Sequence, residues 1–97
     1  MKPLDSIISK LKEQKSLLAS KFGIKEIGVF GSYLRSEQTS VSDLDILVEF
    51  AEVPSMFKFI EAENYLSQTT GIQVDLVMKD SLKPNIGKQI LAEVKYL

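Results

Sequence analysis

The chain has 97 residues, 44% of them hydrophobic and 26% charged, a balance that suits one globular domain spanning 1–97 and not a disordered segment. Twelve basic side chains against thirteen acidic ones give a formal net charge of −1, so no general attraction to nucleic acid or an anionic membrane is expected. Cysteine and histidine are both missing, which excludes disulfides, thiolate metal sites, a cysteine nucleophile and the usual imidazole base, and leaves only oxygen ligands for any metal.

The N-terminal stretch "MKPLDSIISKLKEQ" has neither a long apolar run nor a cleavage site, so a cytoplasmic soluble protein is the expectation. Leu4, Ile7, Ile8, Leu11, Leu18 and Phe22 recur at helical spacing, with Lys10, Lys12, Glu13 and Lys15 on the other side and Gly23 as a stop. "IKEIGVF" reads as a short strand with Ile27 and Val29 on one face, ending at Gly31. A polar connection follows from Tyr33 to Ser42, with room for one helical turn near Ser32 to Glu37. "DLDILVEF" is a second strand with Leu44, Ile46, Val48 and Phe50 on one face. Pro54 is placed to open a helix carrying Met56, Phe57, Phe59, Ile60 and Leu66, which Gly71 would end. "IQVDLVM" is a third strand with Val74, Leu76 and Met78 on one face, and Pro84 opens a last helix with Ile86, Ile90, Leu91 and Val94 inward. The order α-β-β-α-β-α describes an α/β (α+β) fold: a small mixed sheet of about three strands covered by helices.

Alternation in a strand puts Asp43 and Asp45 on one face, about 7 Å apart along the chain and opposite the apolar side chains. The same parity sets Asp75 opposite Val74, Leu76 and Met78, so neighbouring strands would bring all three aspartates together. Three like charges that close repel unless a cation sits among them, and an all-oxygen site of this kind suits Mg²⁺ shared with substrate phosphates. A plainer reading makes Asp43-Leu44-Asp45 a solvated turn and Asp75 the partner of an edge lysine. Gly31-Ser32, at a strand end, can present backbone N–H groups and a hydroxyl to an anion, or can be a simple helix cap. Arg35, one turn on, is either a phosphate ligand or a solvated surface side chain.

Gly31-Ser32, ten intervening residues, Asp43-Leu44-Asp45 and then Asp75 resemble, in order and spacing, the signature of the DNA polymerase β nucleotidyltransferase superfamily. "GSYLRSE", "SDLDILVEF", "GIQVDLV" and "LKPNIGKQILAEVKYL" extend the resemblance over the whole chain to its minimal nucleotidyltransferase (MNT) branch. The resemblance implies the nucleotidyltransferase fold and Mg²⁺-dependent transfer of AMP from ATP, with two ions. It implies Asp43, Asp45 and Asp75 as metal-binding and catalytic residues, and Gly31, Ser32 and Arg35 as the nucleotide-binding ones. It also implies a partner, since MNT proteins are commonly antitoxins paired in a hetero-oligomer with HEPN-domain RNase toxins and can attach AMP to a toxin tyrosine. A purely steric antitoxin, and nucleotidyl transfer to a small acceptor such as an aminoglycoside, are the alternatives. One departure is that the branch often has glycine after the arginine, where this chain has Ser36.

Overall fold

The computed structural model describes residues 4–97. The apolar stripe at the N-terminus forms two helices, α1 (Leu4–Glu13) and α2 (Lys15–Phe22), where periodicity alone predicts one. The stripe skips a turn between Leu11 and Leu18, and Gln14 falls in the gap. There Gln14 leaves the helical hydrogen-bond run, and its side-chain oxygen accepts the hydroxyl of Tyr65.

Strands β1 (Ile24–Phe30) and β2 (Leu44–Phe50) pair antiparallel. Helix α3 (Met56–Thr70) then returns the chain so that β3 (Val74–Met78) runs parallel to β2, which a tight turn could not achieve. After a short 3₁₀ turn at Lys79–Ser81, α4 (Pro84–Glu93) leads into β4 (Lys95–Tyr96), which adds to the free side of β1. The sheet therefore has four strands in the order β3-β2-β1-β4, one more than the expected three. A two-residue strand leaves no alternating run to read.

The core lies between one sheet face and α1, α2 and α3. Ile7 and Leu11 meet Leu18, Phe22, Ile27, Val29, Leu44, Ile46, Val48, Leu66, Val74 and Leu76 there. Each of these side chains contributes roughly 1.5–3 kcal/mol by leaving water. On the other sheet face Leu47 and Phe30 are also buried, and Val94 packs so closely on Gly28 that a Cβ there would lie 2.6 Å from it. Among the described residues no helix is long and apolar enough to cross a membrane.

Two helices orient differently from expectation. Ser55, not Pro54, caps α3, its hydroxyl accepting the Lys58 N–H at 3.1 Å. Phe59, Ala62, Tyr65 and Leu66 face the core, while Met56 and Phe57 are 77% and 86% exposed and Ile60 is about half exposed. Met56, Phe57, Phe59 and Ile60, four apolar positions within the first five residues of the helix, cannot share a face at 3.6 residues per turn. In α4, Ile86 and Leu91 also point outward, and the fully buried position is Gly87, seated against Leu82. Among the aromatic residues, Phe59 and Tyr65 pack partly buried against the core, whereas Phe57 and Tyr96 are exposed.

Candidate active site

Parallel pairing of β2 and β3 puts Asp45 directly beside Asp75, with their Cα atoms in register. Neighbouring strands lie about 4.8 Å apart, so the two carboxylates emerge as close neighbours on the face opposite the core. Asp43 precedes β2 and is exposed, Asp45 is half-buried, and Asp75 is exposed. Helix α3 fixes the outer side of β3: Ser67 Oγ accepts the Val74 N–H and Glu63 Oε2 the Leu76 N–H, both at 2.9 Å. These bonds satisfy the open strand edge on either side of Asp75 and hold its register. The ion pairs among the described residues join Arg35 to Glu37 and to Glu93, so the edge-lysine reading of Asp75 is not met.

Burial raises the Asp45 pKa above the ordinary value of 3.8, and the charges of Asp75 and Asp43 raise it further, while Arg35 opposes them. Among the described residues no group of three acidic side chains is gathered closely enough to hold a metal ion as the side chains stand. The donor set nevertheless fits Mg²⁺. It is all oxygen, it is partly desolvated at Asp45, it carries repulsion that a cation relieves, and it leaves room for the phosphates that this ion prefers to keep as ligands.

Gly31 stands where β1 ends, one residue past the pairing of Phe30 with Asp45. Its φ of +80° lies in the left-handed region, and a Cβ would sit 2.0 Å from Asp45 Oδ2. Only glycine lets the backbone come this close to that carboxylate. From here the chain winds into the expected single helical turn, which is not continued into a helix. The Arg35 N–H reaches the Gly31 carbonyl at 3.1 Å, and the Glu37 N–H reaches the Ser32 carbonyl at 2.9 Å. Tyr33 is buried and anchors the turn in the core. Ser36 closes it at φ +59°, in a conformation that glycine adopts without strain. The approach to Asp43 is tied by Thr39, whose N–H donates to Ser42 Oγ at 2.9 Å.

Sequence reasoning passed over Glu93. The last residue of α4, it accepts the Gly31 N–H at 3.0 Å and Arg35 Nη1 at 3.0 and 3.1 Å, while Arg35 Nε bonds Glu37. Hydrogen bonds to Glu37 and Glu93, together with their charges, raise the pKa of an already basic guanidinium. The one available signal was a carboxylate at a helix C-terminus, where the helix dipole disfavours it. The site thus brings Asp43, Asp45, Asp75, Gly31 and Arg35 to one end of the sheet, with Ser32 on the turn between.

Residues 11–97 match the nucleotidyltransferase domain family. The chain is a minimal nucleotidyltransferase. It shares 54% identity over its full length with a protein adenylyltransferase, MntA, of Thermococcus cleftensis, covering 98% of that protein. Among solved structures, one provisionally described as a minimal nucleotidyltransferase superposes with a TM-score of 0.84 at 30% identity, over 99% of this chain and 97% of the other. A second likeness is to a chain of a tri-AMPylated Shewanella oneidensis HEPN toxin in complex with its MNT antitoxin. There the TM-score is 0.65 and the identity 25%, over 92% of this chain and 68% of that one. This minimal nucleotidyltransferase is accordingly an enzyme, built on the fold its sequence resembles, with the exposed aspartates at the end of the sheet where the Gly31 turn begins.

Proposed function

We propose that the protein transfers AMP from ATP, with Mg²⁺, to a tyrosine hydroxyl of a partner HEPN-domain RNase toxin, and so acts as its cytoplasmic antitoxin within a hetero-oligomer. The observation that carries this reading is the register of Asp45 with Asp75 beneath the side-chain-free approach of Gly31. The adenylyltransferase relative and the likeness to an AMPylated toxin complex support it.

Asp43, Asp45 and Asp75 would hold two Mg²⁺ ions. When bound, Mg²⁺ supplies neutralisation of the triphosphate and Lewis-acid stabilisation of the attacking and leaving oxygens. Burial first, and then the charges of Asp75 and Asp43, raise the pKa of Asp45, so its ionised form gains from a neighbouring cation. Ser32 offers its N–H and hydroxyl to the β- and γ-phosphates. The Gly31 N–H is given to Glu93, so the share of Gly31 in the cradle is the missing side chain, which admits the phosphates next to Asp45. Arg35 balances negative charge on the departing pyrophosphate. The tyrosine oxygen forms a bond to the α-phosphorus, the α–β bridging bond breaks, and pyrophosphate leaves with that electron pair. Exposed Asp75 either completes the ligand set or takes the phenolic proton, a role open to it because histidine is missing. The surface carries no basic excess to draw in RNA or DNA, so neither is proposed as a substrate.

Mass spectrometry of a HEPN-domain toxin co-expressed with this protein, after incubation with ATP and Mg²⁺, tests the reading. One or more AMP additions, lost in the Asp43→Asn/Asp45→Asn double variant, are expected. A stable complex with no added mass would replace catalysis by steric neutralisation, and modification of an aminoglycoside instead would replace the acceptor.

A further inference from the structure

Glu93 occupies a place that neither helix stability nor simple solvation accounts for. A carboxylate at the end of α4 opposes the helix dipole. It lies close enough to Asp45 to add to the negative field there. Its side chain is nevertheless only 32% exposed, and both of its oxygens are used. One oxygen bridges the first backbone N–H of the phosphate-facing turn and the guanidinium that ends the same turn, and the other oxygen returns to that guanidinium.

The guanidinium is held at two of its three nitrogens. Nε goes to Glu37 and Nη1 to Glu93, and Nη2 has no protein acceptor among the described residues. A planar guanidinium held at two nitrogens by two separate carboxylates presents its remaining Nη2 donors in a fixed direction, with little rotamer freedom left to lose when an anion arrives. The two carboxylates are not equivalent. The Glu37 side chain is 61% exposed and its hydrogen bond among the described residues goes to Arg35 alone, so solvent or an incoming phosphate can replace it at little penalty. Glu93 also ties the Gly31 N–H, whose loss would release the turn that keeps backbone next to Asp45. Its position is itself built from outside the site. Val94 packs on Gly28, and Lys95–Tyr96 pairs with Val29 and Gly28, so β4 sets the end of α4 against the end of β1.

We propose that Glu93 is a positioning residue that sets Arg35 and the Gly31 turn for the triphosphate of the nucleotide donor. The proposal rests on the reading that Arg35 faces that triphosphate. It assigns a role to the carboxylate of Glu93 that is distinct from metal binding, and it predicts that the role runs through Arg35.

The test is Mg²⁺-dependent binding of a non-hydrolysable ATP analogue to the whole chain, by calorimetry, for wild type, Glu93→Gln, Arg35→Gln and the double variant. Glu93→Gln keeps an acceptor for the Gly31 N–H and removes the charge. It should weaken binding about tenfold, the scale of one charge-assisted hydrogen bond, with the thermal midpoint held within a few degrees. Arg35→Gln should weaken it by a similar factor. The double variant should bind no worse than Arg35→Gln alone, since a residue acting through another contributes nothing once that other is removed. In turnover, Glu93→Gln should raise the KM for ATP about tenfold with kcat within a few-fold of wild type. Binding equal to or tighter than wild type in Glu93→Gln would overturn the proposal and make Glu93 a competitor of phosphate. Multiplicative losses in the double variant would overturn the route through Arg35. A wild type that binds the analogue but modifies no toxin would sink the proposed transfer while leaving the clamp standing.

Discussion

Asp45 and Asp75 are neighbours because two strands run parallel in register, whereas Arg35 and Gly31 are held together by a carboxylate from the far end of the chain. The strand-borne half of the site inherits its geometry from the sheet, whose apolar side packs Leu44, Ile46, Val74 and Leu76 into the core. The turn-borne half has little regular structure and gains rigidity from side-chain bonds at its ends and from buried Tyr33. Rigid placement suits groups that must meet a small cation within tenths of an ångström. A turn held by ion pairs suits groups that must first admit and then release a bulky polyphosphate.

The sharpest way to break the strand-borne half is Asp45→Asn. Adenylyl transfer should fall by at least about 10²-fold, while the metal-free protein should melt at a higher temperature near neutral pH. A lower melting temperature would mean that the Asp45 charge is not stored repulsion. Joining the two halves is the task of Gly31. Gly31→Ala adds a Cβ on top of Asp45 at a positive φ, so a loss of about 3 kcal/mol is expected in denaturant unfolding, together with weaker nucleotide binding.

The pH dependence of stability separates the halves further. The Asp45 pKa is raised in the folded state, so between 3.8 and that raised value the native protein holds a proton that the unfolded chain has lost. Its contribution to stability is therefore fully present below pH 3.8, declines as pH rises through the folded value, and levels off above it. Urea titrations of the metal-free protein should show this decline, and Asp45→Asn should remove it. Saturating Mg²⁺ and nucleotide should weaken or reverse it. The smallest effect lies in the turn. Ser36→Gly relieves a left-handed residue but loosens the unfolded chain, so a net gain of only about 0.5 kcal/mol is expected, read as a small rise in melting temperature.

The same contrast governs what could be read before any coordinates. Alternation in "DLDILVEF" and "VDLVM" was enough to put Asp45 and Asp75 on the sheet face opposite the core, since period two admits few other arrangements. The helix ends at Gly23 and Gly71 and the start at Pro84 were legible for similar local reasons. Ser36 was visible as a departure from the family resemblance, though only its φ of +59° gives that departure a physical meaning. Failures came where several apolar residues crowd one helix turn, as at Met56 and Phe57, or where a break depends on a partner, as Gln14 does on Tyr65. Glu93 was beyond reach because its meaning lies in contacts 58 and 62 residues away, which its place at a helix end does not reveal.

That separation also bears on the order in which the molecule assembles. Closing a span of 62 residues carries an entropic penalty that prior burial must offset, so the bond from Gly31 to Glu93 is expected to form late in folding, a prediction that pulsed hydrogen exchange checks. A chain whose sheet and first three helices have already condensed still lacks an organised turn over Asp45. Catalytic competence would then lag behind compaction, and the exchange of a single amide proton, that of Gly31, would report when the enzyme comes alive.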